Sequence, residues 1–257
     1  MWIKHRTSRI KSKVKHLSHY LKTLSQANEI ERQTDLSNAK KPVMLLYGFG
    51  ATRRSVSILE SRLRQDGFDV FSIKLGGFLE IFNTAPIDRV AKMIAEKVEN
   101  LCKRYPLPRM AVIGYSKGGL IGRYYLNCLG GAKRIHTLIT LATPHQGNPW
   151  ALLSNVLGLG LLSKGLRQML PHSRFLRRLN SMPHPTGVTL VSIASEKDKS
   201  CPPKYCRLPH AENGKLIHNI VLPHLYHSDF VMKQSAYTEI LKQLKVGFAS
   251  AALKHRD

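Results

Sequence analysis

Short apolar runs alternate with longer amphipathic runs between residues 42 and 143, and this alternation constrains the fold more than any other feature. Buried strands are predicted at PVMLLYG, FDVFSIKL, RMAVIG and IHTLITLAT. Helices are predicted between them at SVSILESRLRQDG, PIDRVAKMIAEKVENLCKRY and SKGGLIGRYYLNCLGG. Because strands that alternate with helices form parallel sheets, the sequence predicts an α/β fold with a mainly parallel, doubly wound sheet.

The strand and helix pattern also divides the chain. Residues 42–146 and 187–257 form the predicted α/β core, which ends with the strands TGVTLVSIAS and KLIHNIVLP and the helix SDFVMKQSAYTEILKQLKVGF. Residues 147–186 interrupt the alternation with a run that is leucine-rich and then arginine-rich, so they are predicted to form a helical insertion. Residues 1–41 are predicted to be a separate basic N-terminal helical arm.

The arm carries many lysines and arginines before its first acidic residue, Glu29, and its apolar residues fall near helical spacing. This pattern fits a basic amphipathic helix on a membrane surface, and it equally fits a solvated arm packed on the domain. The whole chain has 40 Lys and Arg against 16 Asp and Glu, a formal net charge of +24. Such a surface attracts polyanions, namely anionic lipid headgroups or nucleic acid.

Several classes are excluded by composition and pattern. No apolar run is long enough to cross a bilayer, and the basic N-terminus lacks the apolar stretch and cleavage site of a secretory signal. We therefore expect a cytoplasmic protein, with a place on the inner face of a membrane left open. No helix-turn-helix, zinc-finger or aromatic RNA-binding signature is present, so no nucleic-acid partner is expected.

The junction AVIGYSKGGLIGRYY places Ser116 between a predicted strand and a predicted helix, with Gly114 and Gly118 two residues away on either side. A tight turn is one explanation. The other is a nucleophile elbow, in which a sharp turn exposes the serine hydroxyl and the following helix directs its first amides at the reacting group. Because the strand and the helix both match, we interpret Ser116 as a nucleophile.

A serine nucleophile needs a base, and the base needs a carboxylate that orients it. Asp198 follows a predicted strand in VSIASEKDKSCPP, with Glu196 as the competing carboxylate. His227 precedes the last predicted helix, with His224 as the nearest competing imidazole. Asp198 and His227 are the predicted acid and base, since the three groups then follow the order serine, acid, histidine.

The loop LLYGFGATRRS follows the first strand of the core, and its glycines would let backbone amides approach a ligand. Phe49 and Lys117 are predicted to donate the two amides of an oxyanion hole. A nucleotide-binding loop is the alternative, but both the Walker Lys-Ser/Thr pair and a G-x-G-x-x-G are missing. No cofactor is expected.

The segment CPPKYCRLPH brings Cys201, Cys206 and His210 close in sequence. Zinc sites use tighter cysteine pairs and four ligands, so no metal is expected. The two cysteines are interpreted as thiols, with a local disulfide as the alternative.

Between residues 41 and 244 the sequence resembles α/β-hydrolases of the lipase and esterase branch, and it is similar to bacterial triacylglycerol lipases. The matching segments occur in the family's order: PVMLLYGFGATRRSVSILESRLRQDGFDVFSIKL, MAVIGYSKGGLIGRYYLNCLGGAKRIHTLITLATPHQGNPWA, SEKDKSCPP and HLYHSDF. The resemblance implies Ser116, Asp198 and His227 as a catalytic triad, Phe49 and Lys117 as oxyanion donors, and a lid over residues 147–186.

This resemblance also implies hydrolysis of acyl esters through an acyl-enzyme, with a lipid or other acyl ester as substrate and an anionic membrane surface as partner. There are two alternatives. The protein would be an acyltransferase that uses the same acyl-enzyme, or a non-catalytic basic protein of this fold that binds membranes or nucleic acid. The chain departs from the family at four positions: Tyr47 replaces the usual histidine before glycine, Tyr115 replaces the histidine before the nucleophile, Lys117 replaces an apolar residue, and Cys201 stands where valine is usual. The first two are expected to alter the pocket wall, and Lys117 to add a charge beside the site.

Overall fold

A six-stranded parallel sheet forms the centre of the protein. The computed structural model describes residues 35–75, 83–148, 151, 163–209 and 216–253. The strands lie in the order β2-β1-β3-β4-β5-β6, and every neighbouring pair is parallel. They are β1 Pro42–Leu46, β2 Asp69–Ser72, β3 Met110–Tyr115, β4 Ile135–Leu141, β5 Thr189–Ser195 and β6 Ile217–Leu222.

Helices flank the sheet and are connected to it in the alternating order that the sequence predicts. They are α1 Ser57–Gln65, α2 Ile87–Arg104, α3 Lys117–Cys128, α4 Lys164–Gln168, α5 Arg174–Ser181, α6 Pro203–Cys206, α7 Asp229–Met232 and α8 Gln234–Leu253. Short 3-10 turns occur at Arg53–Val56 and Gly131–Lys133. The predicted fold class is confirmed for the sheet.

The central strands are buried on both faces, which is why they read as continuous apolar runs rather than alternating ones. All five residues of β1 and all seven of β4 are buried. The helices pack very close to this sheet in places: a Cβ atom on Gly247 of α8 would lie 2.3 Å from the Thr137 Oγ1 of β4. The core is therefore one continuous cluster of side chains around the sheet.

The C-terminal region differs from its predicted form in two places. The predicted single helix from residue 228 is two helices, because Lys233 has extended backbone with φ −81° and ψ 144°. Lys233 also pairs with Asp229, which holds the short first helix in place. The second difference is the short helix α6, which begins directly after Pro202 and was not predicted.

Two predicted helical regions are described only in part. The predicted amphipathic helix in residues 1–24 and the leucine-rich run 152–162 lie outside the described residues. Of the insertion, α4 and α5 are described as helices. Leu36 of the arm is 3% exposed and belongs to the core cluster, and the backbone amides of Lys40 and Lys41 both donate to Asp69 Oδ2 at 2.8 Å. Among the described residues, no helix combines the length and the apolar character needed to cross a membrane.

Candidate active site

Ser116 lies on a strained turn between the end of β3 and the start of α3. Its φ of 54° and ψ of −123° place a non-glycine residue in a region that L-residues rarely adopt. The turn is held from both sides: the Ser116 amide donates to the Leu141 carbonyl at 2.8 Å, and its carbonyl accepts from Thr143 Oγ1 at 2.9 Å. A strained residue that its neighbours hold this firmly is a common feature of functional sites.

The glycines on either side of Ser116 are required by close packing. A Cβ atom on Gly114 would lie 2.4 Å from the Gly119 Cα, and one on Gly118 would lie 2.1 Å from the Leu46 carbonyl oxygen. Both partners are backbone atoms that a side-chain rotation cannot move. The G-x-S-x-G pattern therefore reflects the approach of α3 to β1 and β3.

The loop after β1 lies directly against Ser116. A Cβ atom on Gly48 would come within 3.1 Å of the Ser116 Cβ and 3.6 Å of its Oγ. Phe49, the next residue, is half-buried. This placement brings the predicted oxyanion loop beside the predicted nucleophile, where its backbone amides can approach a group bound at Ser116.

Lys117 begins α3, where the first amides of a helix have no intrahelical acceptor. Its side chain is fully buried, and its ammonium donates to the Asn83 carbonyl at 3.0 Å, to Asn83 Oδ1 at 2.9 Å and to the Ala85 carbonyl at 2.6 Å. Burial lowers the pKa of Lys117 to about 7. The side chain thus adds a buried cation beneath the loop rather than an exposed charge.

Asp198 and His227 are in direct contact. Asp198 follows β5, is 1% exposed, and its Oδ2 lies 2.7 Å from His227 Nδ1. Its Oδ1 accepts from the amides of Ser200 at 2.8 Å and Cys201 at 3.0 Å. An ionised carboxylate only accepts hydrogen bonds, so a neutral imidazole in this pair would carry its proton on Nδ1 and keep a lone pair on Nε2.

The competing residues are placed elsewhere. Glu196 is exposed, and so is His224, whose backbone has a φ of 60°. His227 keeps a quarter of its side chain exposed while its partner Asp198 is buried. The structure therefore brings together the carboxylate and the imidazole chosen from the sequence, and not their competitors.

Tyr115 connects the strand that precedes Ser116 to the loop that carries His227. Its hydroxyl donates to the His227 carbonyl at 3.2 Å, and its ring centroid lies 5.2 Å from that of the His227 imidazole. A residue adjacent to Ser116 in the chain thus contacts the residue that the carboxylate orients. The loop that carries His227 is also held by the Leu225 amide, which donates to Ser195 Oγ at 2.9 Å.

Cys201 and Cys206 are buried free thiols whose sulfur atoms lie 3.2 Å apart. The hydrogen bond with Cys206, followed by burial, raises the pKa of Cys201, which keeps the thiol neutral. No group of three or more metal-ligating side chains occurs within the described residues, and His210 lies outside them.

A surface groove of about 820 Å³ lies along the sheet edge formed by β6. Its walls include Ala194, Lys204, Arg207, Val221 and Val246. None of the residues predicted for catalysis lines this groove, so it is not the place where a group attacked by Ser116 would bind.

Comparison with known proteins gives one family match. The family model for palmitoyl protein thioesterases matches residues 42–152, which is less than half of the 257-residue chain. The matched part runs from β1 through Ser116 and ends before Asp198 and His227. Among curated proteins, no sequence matches the chain significantly.

Solved structures match over most of the chain. A mature lipase from Bacillus licheniformis is 15% identical, with a TM-score of 0.66 over 83% of this chain and 96% of that one. Lipase B of Aspergillus fumigatus is 18% identical, with a TM-score of 0.67 over 86% of this chain and 57% of that one. A monoacylglycerol lipase from Paleococcus ferrophilus is 17% identical, with a TM-score of 0.59 over 81% and 94%.

The chain has the α/β-hydrolase fold. The predicted resemblance to the lipase and esterase branch is confirmed: a palmitoyl protein thioesterase family model matches part of the chain, and solved structures similar to it include lipases. In this fold the residues singled out from the sequence follow the carboxyl ends of β1, β3, β5 and β6, which is where binding groups of a parallel sheet collect.

Two contributors to the site were missed by sequence reasoning. Asn83 is fully buried and connects Lys117 to the loop after β1, but it stands alone in a stretch with no recognisable pattern. Tyr115 was noted only as a departure from the family, and its contact with His227 joins residues far apart in sequence. Its place next to the nucleophile was the one available signal.

Proposed function

We propose that the protein is a serine hydrolase that cleaves acyl esters or thioesters with Ser116 as nucleophile, His227 as base and Asp198 as the orienting acid. The observation that carries the proposal is the 2.7 Å contact between Asp198 Oδ2 and His227 Nδ1. Tyr115, which precedes Ser116 on the strained strand-to-helix turn, donates to the His227 carbonyl and so links this pair to the serine's strand. A solvated loop carboxylate would have no reason to be buried with both of its oxygens engaged.

The proposed reaction has two steps, acylation of Ser116 and hydrolysis of the acyl-enzyme. Ser116 Oγ attacks the acyl carbon while His227 Nε2 takes its proton, and the proton then passes to the departing alkoxide or thiolate as the bond to the acyl carbon breaks. Water then attacks the acyl-enzyme while His227 takes its proton, and the proton returns to Ser116 Oγ as the carboxylic acid product leaves. Asp198 stays ionised and stabilises the imidazolium, while amides of Phe49 and Lys117 stabilise the oxyanion.

The comparisons support a substrate class. The palmitoyl thioesterase match and the lipase neighbours favour an acyl chain as the recognised part, with oxygen or sulfur as the leaving atom. Hydrolysis of p-nitrophenyl esters of graded chain length, beside a palmitoyl thioester, would identify the preferred chain and leaving atom. We expect activity on these esters.

The nucleophile is tested with a fluorophosphonate probe. Wild-type protein should become labelled, and Ser116→Ala should lose both labelling and turnover, the latter by roughly 10⁴-fold or more. Ser55→Ala is the matched control, because Ser55 Oγ donates only to the nearby Thr52 carbonyl. Labelling that persists in Ser116→Ala would exclude this nucleophile.

We further propose that the protein acts at an anionic lipid surface. The net charge of +24 supports this, and α5 presents three exposed arginines while burying Leu176 and Leu179. The arginines are Arg174, Arg177 and Arg178. Each cation near an anionic surface contributes about 1 kcal/mol, which salt screens.

Co-sedimentation with vesicles tests this second part. We expect binding to vesicles that contain phosphatidylserine, weaker binding at high salt or after deletion of residues 1–24, and little binding to neutral vesicles. The leucines of residues 152–162 would add an apolar contribution that salt does not screen. Binding to duplex DNA but not to anionic vesicles at the same salt would assign the charge to nucleic acid instead.

A further inference from the structure

Each proton of the Lys117 ammonium has an oxygen acceptor in the surrounding structure. The ammonium has three protons, and three oxygens lie within 3.0 Å of its nitrogen, two from Asn83 and one from Ala85. A neutral amine has only two protons to donate, so the charged form alone satisfies all three. Burial lowers the pKa of this lysine, and the three acceptors act in the opposite direction because they favour the charged form.

Asn83 also forms hydrogen bonds with the loop after β1, and so links Lys117 to that loop. Its side-chain amide donates to the Tyr47 carbonyl at 2.8 Å. Its own backbone amide donates to the Ala51 carbonyl at 3.2 Å, and its carbonyl accepts from the Gly50 amide at 3.3 Å. One fully buried asparagine therefore contacts both ends of the segment 47–51.

The same lysine also supports the middle of that segment. Its nitrogen lies 5.5 Å from the centre of the Phe49 ring, within the range of a cation–π contact. Phe49 is the residue whose amide is assigned to the oxyanion hole, and Gly48 lies against Ser116. The cation, the asparagine and the loop thus form one connected unit beside the nucleophile.

We infer that Lys117 and Asn83 are positioning residues that hold the segment 47–51 in place for transition-state stabilisation. This inference rests on the proposed function. An oxyanion hole works because its donors are fixed before charge develops, so a loosened segment lowers the rate of the chemical step more than substrate binding. Lys117 would then contribute twice, through its backbone amide and through its side chain.

Arg123 supplies a matched control on the same helix. It is also a buried cation, 3% exposed, and it donates to Asn180 Oδ1 at 2.6 Å and to the Leu179 carbonyl at 3.2 Å. Those partners belong to α5 and not to the segment 47–51. Replacing Arg123 therefore removes a buried, hydrogen-bonded cation without removing a support of the oxyanion loop.

The experiment compares Lys117→Met, Asn83→Asp and Arg123→Met with wild type by Tm, kcat, KM and the rate of fluorophosphonate labelling. Methionine replaces the unbranched apolar part of the lysine side chain, removes the ammonium and keeps the backbone amide. We expect Lys117→Met to lower kcat and the labelling rate by roughly 10-fold to 100-fold, with KM within about threefold. Hydrogen exchange in the segment 47–51 should also become faster.

Asn83→Asp provides a second test of the inference if Lys117→Met does not fold. It keeps an oxygen for the ammonium and removes the donor to Tyr47, so we expect a smaller loss of kcat with an unchanged KM. Arg123→Met should lower Tm while kcat stays within about twofold.

The outcomes separate the two proposals. A wild-type protein that neither hydrolyses esters nor reacts with the probe removes the proposed function, and this inference with it. An active wild type with folded Lys117→Met and Asn83→Asp variants of unchanged kcat overturns the inference alone. An equal loss of kcat in Arg123→Met overturns it too, since general destabilisation then explains the effect.

Discussion

The two halves of the candidate site are held by different forces. On the nucleophile half, backbone lies against backbone: Gly114 and Gly118 leave no room for a Cβ atom, and Gly48 lies against Ser116. On the acid–base half, Asp198 and His227 come from separate loops and meet through a side-chain hydrogen bond. Close packing therefore restricts substitution on the first half, in addition to its hydrogen bonds, whereas the second half depends on a side-chain hydrogen bond.

This difference has a consequence for substitution. Overlap with backbone atoms cannot be relieved by a rotamer change, so substitutions at the glycines beside Ser116 should lower stability. Hydrogen bonds can be removed one at a time, so the acid–base half should lose activity in graded steps while the fold survives. Variants on each half test whether the two halves really separate in this way.

The largest expected effect is on the base. His227→Ala should lower kcat/KM for a p-nitrophenyl ester by about 10⁴-fold, because Ser116 would lose its proton acceptor. His224→Ala is the matched control in the same loop, and its side chain is exposed. We expect it to stay near wild type. The reverse pattern would transfer the role of base to His224.

The acid should give a smaller loss than the base. Asp198→Asn keeps the shape of the side chain but turns an acceptor into a donor where it faces Nδ1, so His227 would adopt the wrong tautomer. We expect kcat to fall by about 10³-fold, measured beside Glu196→Gln, whose carboxyl is exposed. Comparable losses in the two variants would contradict the assignment of Asp198.

The same contrast explains what the sequence could predict. Ser116 could be singled out as a candidate nucleophile because the requirements are local: a strand, a small-residue turn and a helix within fifteen consecutive residues. The parallel sheet could be predicted for the same reason, since the sequences of β1, β3 and β4 are largely continuous apolar runs. Local sterics leave a pattern in consecutive residues, and periodicity can detect it.

Contacts between distant loops leave no such pattern. The sequence offered Glu196 beside Asp198 and His224 beside His227, and periodicity could not choose between them. Asn83 was missed entirely, because its partners Tyr47 and Lys117 lie 36 and 34 residues away. The break at Lys233 was also missed, since it depends on one residue's backbone angles within an otherwise helical run.

A stability prediction tests the nucleophile half. Gly118→Ala would place a Cβ atom 2.1 Å from the Leu46 carbonyl oxygen, and we expect the free energy of unfolding to fall by about 3 kcal/mol or more. Gly130→Ala is the control: φ there is 73°, but nothing lies within 4 Å of the added atom, so strain of about 1 kcal/mol is expected. Urea denaturation measures both. Equal losses would mean that the structure relieves the overlap at Gly118, since Gly118 lies in a helix and carries no left-handed strain.

The smallest expected effect is at Tyr115, where the two halves meet. Tyr115→Phe keeps the ring against the His227 imidazole and removes only the hydroxyl that donates to the His227 carbonyl. One neutral hydrogen bond contributes about 1 kcal/mol, so kcat should fall by about fivefold if the bond holds the base in position. Tyr226→Phe, in the same loop and 58% exposed, should leave kcat unchanged. A Tyr115→Phe enzyme with wild-type kcat would show that the Asp198 carboxylate alone is sufficient to position His227, and that the acid–base half keeps its geometry without support from the strand that carries the nucleophile.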